Sequence, residues 1–227
     1  MKHIAWVGGC LAALLMSGTA LAQSTDGTDS TAGKTAGSLM VRGRLISVTP
    51  LNLSSSVTPV GGHVDATSAL APEVDFSYFF TDHIAVEVIA GTTNHTVTAT
   101  KIPALGGSSL QAGRTWVLPP TITAQYHFFP HEKISPYVGA GLNYTIFYDT
   151  EAPGSGSPVY HWRLKDNWGV ALQAGVDWNV TGNWYLNVDV KQIFLDTTAK
   201  LDTALGRVKA KTSLDPLVAG VGIGYRF

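Results

Sequence analysis

An all-β fold is predicted: an eight-stranded antiparallel β-barrel set in a membrane, with long loops at one end and short turns at the other. Three observations predict it. The chain closes on Leu217, Ala219, Val221, Ile223, Tyr225 and Phe227 alternating with Val218, Gly220, Gly222, Gly224 and Arg226. That period of two makes a strand with one apolar face and one face of small or polar groups, ending on aromatics. Seven upstream segments alternate in the same way, and an even strand count brings both termini of a bacterial barrel to one side. The connections also alternate in length, as short periplasmic turns and long outer loops do.

The chain begins with a basic head, Lys2 and His3, an apolar run from Ile4 to Met16, and Ala20-Leu21-Ala22 before Gln23. These are the parts of a secretory signal peptide, residues 1–22, with a run too short to span a bilayer. Val7-Gly8-Gly9-Cys10 resembles a lipoprotein box only faintly, because the apolar run continues through Leu15. Cleavage after Ala22 removes the single cysteine, and with it disulfide and thiolate chemistry. Residues 23–37 are rich in Ser, Thr, Gly and Asp and read as a disordered periplasmic lead, with the barrel at 38–227.

The barrel segments follow in order. Met40 to Thr49 sets Val41, Gly43 and Leu45 against Arg42, Arg44 and Ile46. Glu73 to Phe80 sets Val74, Phe76 and Tyr78 against Glu73, Asp75 and Ser77, and Ile84 to Thr93 sets Val86 and Val88 against Glu87 and Ile89. Thr121 to Phe129 and Val138 to Tyr148 carry Ile122, Tyr126, Leu142 and Tyr144 on the apolar side. In Trp168 to Val180, Leu172, Val176 and Trp178 oppose Gln173 and Asp177; in Trp184 to Phe194, Leu186 and Val188 oppose Asn187, Asp189 and Lys191. Between them, Thr81 to His83, Pro130 to Lys133 and Thr181 to Asn183 are tight turns, whereas Leu51 to Ala71, Asn94 to Arg114, Thr150 to Arg163 and Thr198 to Thr212 read as long polar loops.

Composition narrows the function. Charged residues make up 14% of the chain and the net charge is −1, so there is no basic field for nucleic acid. Eight strands enclose room for side chains or one small ligand, not a wide aqueous pore. The inward parity gathers Arg42, Arg44 and Arg226 with Glu73, Asp75, Glu87, Asp177 and Asp189, a polar network whose ions must pair because unpaired buried ions are costly. Toward the outer mouth the inward positions Ile46, Ile89, Phe147, Ile193 and Leu195, with Lys191 just below, predict an apolar constriction. Such a site suits a small hydrophobic molecule and opposes ions. The alternatives are a sealed structural or surface-receptor barrel, and a side-chain packing role for the same residues. Seven His without HxH or HExxH spacing predict no metal, and loop residues such as Ser157, His161 and Asp149 have no triad geometry, so neither a cofactor nor an enzyme is expected. Trp116, Trp168, Trp178 and Trp184 suit interfacial girdles.

Leu118-Pro119-Pro120-Thr121, Pro136 to Tyr144, Leu164 to Gly169, Gly175-Val176-Asp177, Leu195 to Ala199, Leu214-Asp215-Pro216 and the closing Gly224-Tyr225-Arg226-Phe227 resemble the OmpW family of small outer-membrane barrels over roughly residues 39–227. The resemblance implies a barrel in the outer membrane of a Gram-negative bacterium with a narrow, partly apolar lumen that passes small hydrophobic molecules. It also implies that Gly222, Tyr225 and Phe227 form a terminal signal for the outer-membrane assembly machinery. Replacing Phe227 with Ser is expected to lower the heat-modifiable, outer-membrane-inserted fraction; unchanged insertion of that variant contradicts the reading.

Overall fold

The structure is a computed structural model that describes residues 33–51, 54–58, 61–103, 106–153, 159–203 and 206–227. The signal peptide, Cys10, residues 23–32 and Ser157 lie outside the described residues. In chain order the strands are β1 (Leu39–Thr49), β2 (Ser54–Thr58), β3 (His63–Ala66), β4 (Ala69–Phe79) and β5 (Ile84–Gly91). Then come β6 (Thr93–Ile102), β7 (Ser108–Leu118), β8 (Thr121–His127), β9 (Ile134–Glu151) and β10 (Val159–Leu164). The last five are β11 (Asn167–Thr181), β12 (Trp184–Phe194), β13 (Asp196–Thr203), β14 (Gly206–Ser213) and β15 (Leu217–Arg226).

Eight of these close on themselves in the order β11-β12-β15-β1-β4-β5-β8-β9, with β9 returning to pair with β11. Every pairing in this ring is antiparallel. The seam between the two ends of the chain is β1 against β15, from Met40 opposite Arg226 to Thr49 opposite Leu217. Closure leaves no ring edge with unpaired backbone, which is the condition for a sheet to live in hydrocarbon.

The predicted parity holds along the ring. Val176, Leu186, Val188, Val190, Val221 and Ile223 are exposed to the outside, while Gln173, Asp177, Asn187, Asp189 and Lys191 are buried inside. Aromatics frame the outward apolar belt at both ends. At the terminal end Tyr225 lies edge-on to Trp184 at 5.0 Å and to Phe227 at 4.8 Å, and Tyr126 lies edge-on to Phe128 at 5.0 Å. At the loop end Tyr144 meets Trp168 at 4.8 Å and Trp116 stacks on Tyr148 at 6.3 Å. The Tyr and Trp rings among them have an apolar body and a polar edge, the chemistry of a membrane interface.

The long connections differ from their reading as loops. They form seven further strands: β3, β6 and β7 continue the sheet upward from the top of β9, and β10-β13-β14-β2 form a separate four-stranded sheet. Val57, Val64, Val97, Ala112, Val159, Trp162, Ala199, Val208 and Ala210 make an apolar core among these extensions. The Ser, Thr and Gly content that suggests loops is compatible with strands once a second layer supplies this core, because strand preference follows packing more than composition.

Arg at Val188, midway along β12 on the outer face, is expected to cost about 2–4 kcal/mol in reversible folding into bilayers, against about 0–1 kcal/mol at Ile134 near the terminal edge. Equal penalties at the two depths contradict the assigned belt.

Candidate functional site

The lower half of the barrel is filled by one ionic network, and register builds it. On β1, Arg42 stands opposite Asp75 and Arg44 opposite Glu73 of β4. On the other side the same two arginines face Gly224 and Gly222 of β15. A Cβ added at Gly222 would collide with the Gly43 carbonyl oxygen and lie 2.7 Å from Arg44 Cγ. The absence of side chains there lets both guanidinium groups lie flat across the lumen. Arg42 donates to Asp75 at 2.7 Å and forks onto both oxygens of Asp177 at 3.1 and 2.9 Å. Arg44 pairs with Glu73 at 2.9 Å, Asp75 at 2.8 Å and Glu87 at 3.1 Å, with Asp189 at 3.6 Å.

Neutral groups hold what remains of the carboxylates. Gln173 donates to Glu87 at 2.9 Å and Asp189 at 2.7 Å, Tyr137 donates to Asp189 at 2.7 Å, and Asn187 donates to Asp177 at 2.8 Å. The sequence brings together Arg42, Arg44, Glu73, Asp75, Glu87, Asp177 and Asp189 as its parity predicts. Arg226 is a correction. It pairs in register with Met40 at the terminal end, and its half-buried guanidinium donates to Asn183 Oδ1 at 2.8 Å. It follows the inward parity but sits at the rim, where the turn before β12 supplies its partner.

Lys34 is a member that the sequence reading missed. Read as part of a structureless lead, residues 33–37 instead pack against the barrel: the Lys34 amide donates to the Pro130 carbonyl at 2.8 Å and the Gly37 amide to the Phe79 carbonyl at 2.7 Å. The fully buried Lys34 ammonium is 2.7 Å from Asp177 Oδ2 and donates to His127 Nδ1 and Ser135 Oγ, both at 2.9 Å. His127 is thereby held with its proton on Nε2, which reaches Gln125 Oε1 at 3.0 Å. A lone lysine in a polar tract carries no signal of burial; only the carboxylate excess among the inward residues hints that another cation is needed.

Above this floor lies a cavity whose empty space, including open solvent at its mouth, is about 990 Å³. Ile46, Ile89, Phe147, Lys191, Ile193 and Leu195 all line it, together with Val48, Pro119, Leu214, Pro216 and Val218, with Val64, Val97 and Leu164 above, and with Glu73, Thr121 and Thr145 among its polar lining. Ile46, Ile193, Leu195 and Val218 pack with Ala71 and Ala171 into one buried apolar cluster. Val48 and Val218 share the inward parity of Ile46 and Lys191 and were legible by it; the prolines break the alternation and were not. His95 is a polar point high in the wall: its Nδ1 meets the Thr67 carbonyl at 2.6 Å and its Nε2 the Thr93 hydroxyl at 2.9 Å. Burial pushes its imidazole below the ordinary range, so it stays neutral at physiological pH. The described residues contain no cluster of His, Cys, Asp or Glu suited to a metal ion.

A closed ring with an aromatic-framed apolar belt, an ion-paired floor and an apolar chamber beneath structured outer strands defines a small outer-membrane β-barrel protein. The chain belongs to the OmpW family, whose model matches residues 35–227. It is 42% identical over 177 residues to the uncharacterized outer-membrane protein y4mB of Sinorhizobium fredii, covering 77% of this chain and 73% of that one. It is 30% identical over 169 residues to the dibenzothiophene metabolism operon protein PahQ of Pseudomonas aeruginosa, covering 74% and 76%. The crystal structure of the outer membrane protein OprG from Pseudomonas aeruginosa superposes with a TM-score of 0.77 at 28% identity, covering 86% of this chain and 98% of that one. The protein resides in the outer membrane.

Replacing Arg42 with Ala leaves Asp75 and Asp177 without their main counter-charge in a water-poor interior, and is expected to cost about 3–5 kcal/mol. The shift in urea midpoint for folding into detergent or lipid measures it, and a loss below about 1 kcal/mol, the scale of an exposed ion pair, contradicts the network's role.

Proposed function

We propose that the barrel takes small apolar molecules from the outside into its upper chamber and so serves as a conduit or binding site for them. One observation carries this reading: along single strands the inward face changes from ionic to apolar within two residues. Arg44 is followed by Ile46 on β1, Glu87 by Ile89 on β5, and Lys191 by Ile193 on β12, all of them lining or bounding the chamber. A scaffold needs its interior filled, and the lower half is filled. The upper half keeps open volume behind an apolar wall, the kind of surface that binds apolar guests and hydrates poorly. The name of the relative PahQ, with its link to dibenzothiophene metabolism, supports aromatic hydrocarbons and their sulfur analogues as candidate guests.

The floor shapes what such a conduit can do. Ions meet first an apolar chamber, where desolvation is unfavourable, and then a set of paired charges that occupies the lumen. Conductance through the axis is therefore low. The second reading, a sealed barrel whose outer strands bind a partner, is favoured by the separate apolar core of those strands, and it does not require the chamber to bind anything.

The test is binding of dibenzothiophene to the barrel in nanodiscs, corrected against empty nanodiscs. The Ile89→Ser, Ile193→Ser double variant removes several buried methyl and methylene contacts and is expected to weaken binding on the order of tenfold, at roughly 0.8 kcal/mol per CH₂. Planar-bilayer conductance stays low in both proteins. Equal or absent binding in the two proteins supports the sealed reading and overturns the conduit.

A further inference from the structure

The chamber has a single ammonium at its base, and its hydrogen-bonding capacity is unused. Lys191 is on β12, between Gln173 of β11 and Val218 of β15. Its side chain is 2% exposed, and it lines the cavity beside Glu73 and Ile89. Its Nζ lies 3.5 Å from Asp189 Oδ1 and has no hydrogen-bond partner among the described residues. The other Asp189 oxygen is already taken by Tyr137 and Gln173, both at 2.7 Å. The other cations are better met: the Arg42 guanidinium donates to Asp75, Ser77 and Asp177, Lys34 to His127 and Ser135 beside its ion pair with Asp177, and Arg44, although its Nε also makes no hydrogen bond, lies within 2.9 Å of Glu73 and 2.8 Å of Asp75. An ammonium carries three donors, and buried donors left unmet are costly.

Resting on the chamber being a binding site, we propose that Lys191 makes it selective for amphipathic guests: an apolar body against Ile46, Ile89 and Ile193, and an uncharged hydrogen-bond acceptor, such as a ketone, aldehyde, ester or alcohol oxygen, turned down to the Lys191 ammonium. The charge of the floor decides between an uncharged and an ionised head. Lys34, Arg42, Arg44 and Lys191 face Glu73, Asp75, Glu87, Asp177 and Asp189, so by formal charge the acids outnumber the bases by one. A carboxylate guest would enlarge that excess in a region of low polarity, where like charges repel strongly. A neutral oxygen accepts from Lys191 without adding charge. An alcohol is what a first oxygen insertion into a hydrocarbon produces, and further oxidation gives an aldehyde or ketone, so the site fits partly oxidised hydrocarbons better than the parent ones.

The experiment compares three probes of one body, 2-ethylnaphthalene, 2-acetylnaphthalene and 2-naphthoate, binding to the full-length barrel in nanodiscs, each corrected against empty nanodiscs. In the wild type the ketone is expected to bind on the order of tenfold tighter than the hydrocarbon, the scale of a hydrogen bond to a charged donor, and the carboxylate more weakly than the ketone. The ketone-to-hydrocarbon ratio is expected to fall to about one in Lys191→Met and to persist in Lys191→Arg, which keeps a donor and a charge. The wild-type ratio stands by itself if a variant fails to fold. Binding of ethylnaphthalene and acetylnaphthalene with equal affinity overturns the inference while leaving the chamber's role intact. Preference for the carboxylate overturns the uncharged head. A ketone preference that survives in folded Lys191→Met assigns the acceptor contact elsewhere and overturns the role of Lys191. Failure of all three probes to bind overturns both readings.

Discussion

Two arginines two residues apart on β1 set the terms for the rest of the barrel. Arg42 and Arg44 both point inward, so each must find carboxylates within a lumen only eight strands around, because a guanidinium buried there without counter-charges is strongly destabilising. The acids come from β4 and β5 on one side of β1 and, beyond β15, from β12 and β11 on the other. Space comes from β15, whose inward glycines accept the arginine stems. The same demand for close approach recurs at Gly175, where an added Cβ would collide with the ring of Tyr137. Acid positions, glycine positions and the inward tyrosine are then consequences of one steric and electrostatic problem. The lead contributes Lys34 to the same solution, tying the segment before β1 to Asp177 on the far wall.

Vertical division of the lumen follows from this. Ion pairs need neighbours on every side, and they fill the terminal half. Above them the inward residues of β1, β5 and β12 turn aliphatic while β8 and β9 keep Thr121 and Thr145, and the strands rise past the belt into a layer with its own apolar core around Trp162. Trp162 is anchored there by its indole N–H, which donates to the Glu151 carbonyl at 2.9 Å. The chamber is thus enclosed by charge below and by structured strands above. Lys191 at its base is one of the places where the two chemistries meet, and its ammonium has no hydrogen-bond partner among the described residues.

Much of this was legible in the chain because a two-residue period inside lipid has few competing explanations. The faces of β11 and β12 follow from residues such as Leu172, Val176, Leu186 and Val188 alternating with Gln173, Asp177, Asn187 and Asp189, and family-specific motifs such as Pro136 to Tyr144 reinforce them. The outer strands were not legible: β6 and β7 carry Thr, Asn, Gln and Gly on both faces, and their core at Val97 and Ala112 is too sparse to register as alternation. Tyr137 is also outside the alternating segment, which the sequence shows only from Val138 to Tyr148, although β9 begins at Ile134 and the parity of Tyr137 matches Asn143 and Phe147. Arg226 shows the limit of parity itself, which gives a side chain's face but not its depth. Lys34 lies beyond any periodic segment, and its place depends on partners more than ninety residues away.

The central claim is that apolar guests occupy the chamber and not merely the lipid around the barrel. The direct measurement is methyl-labelled NMR of the barrel in nanodiscs with dibenzothiophene, reading intermolecular NOEs. The account predicts cross-peaks from the guest to the inward methyls of Ile46, Ile89, Ile193 and Leu195. Cross-peaks confined to the belt methyls of Leu186, Val188 and Val221, with none to those four, would contradict it.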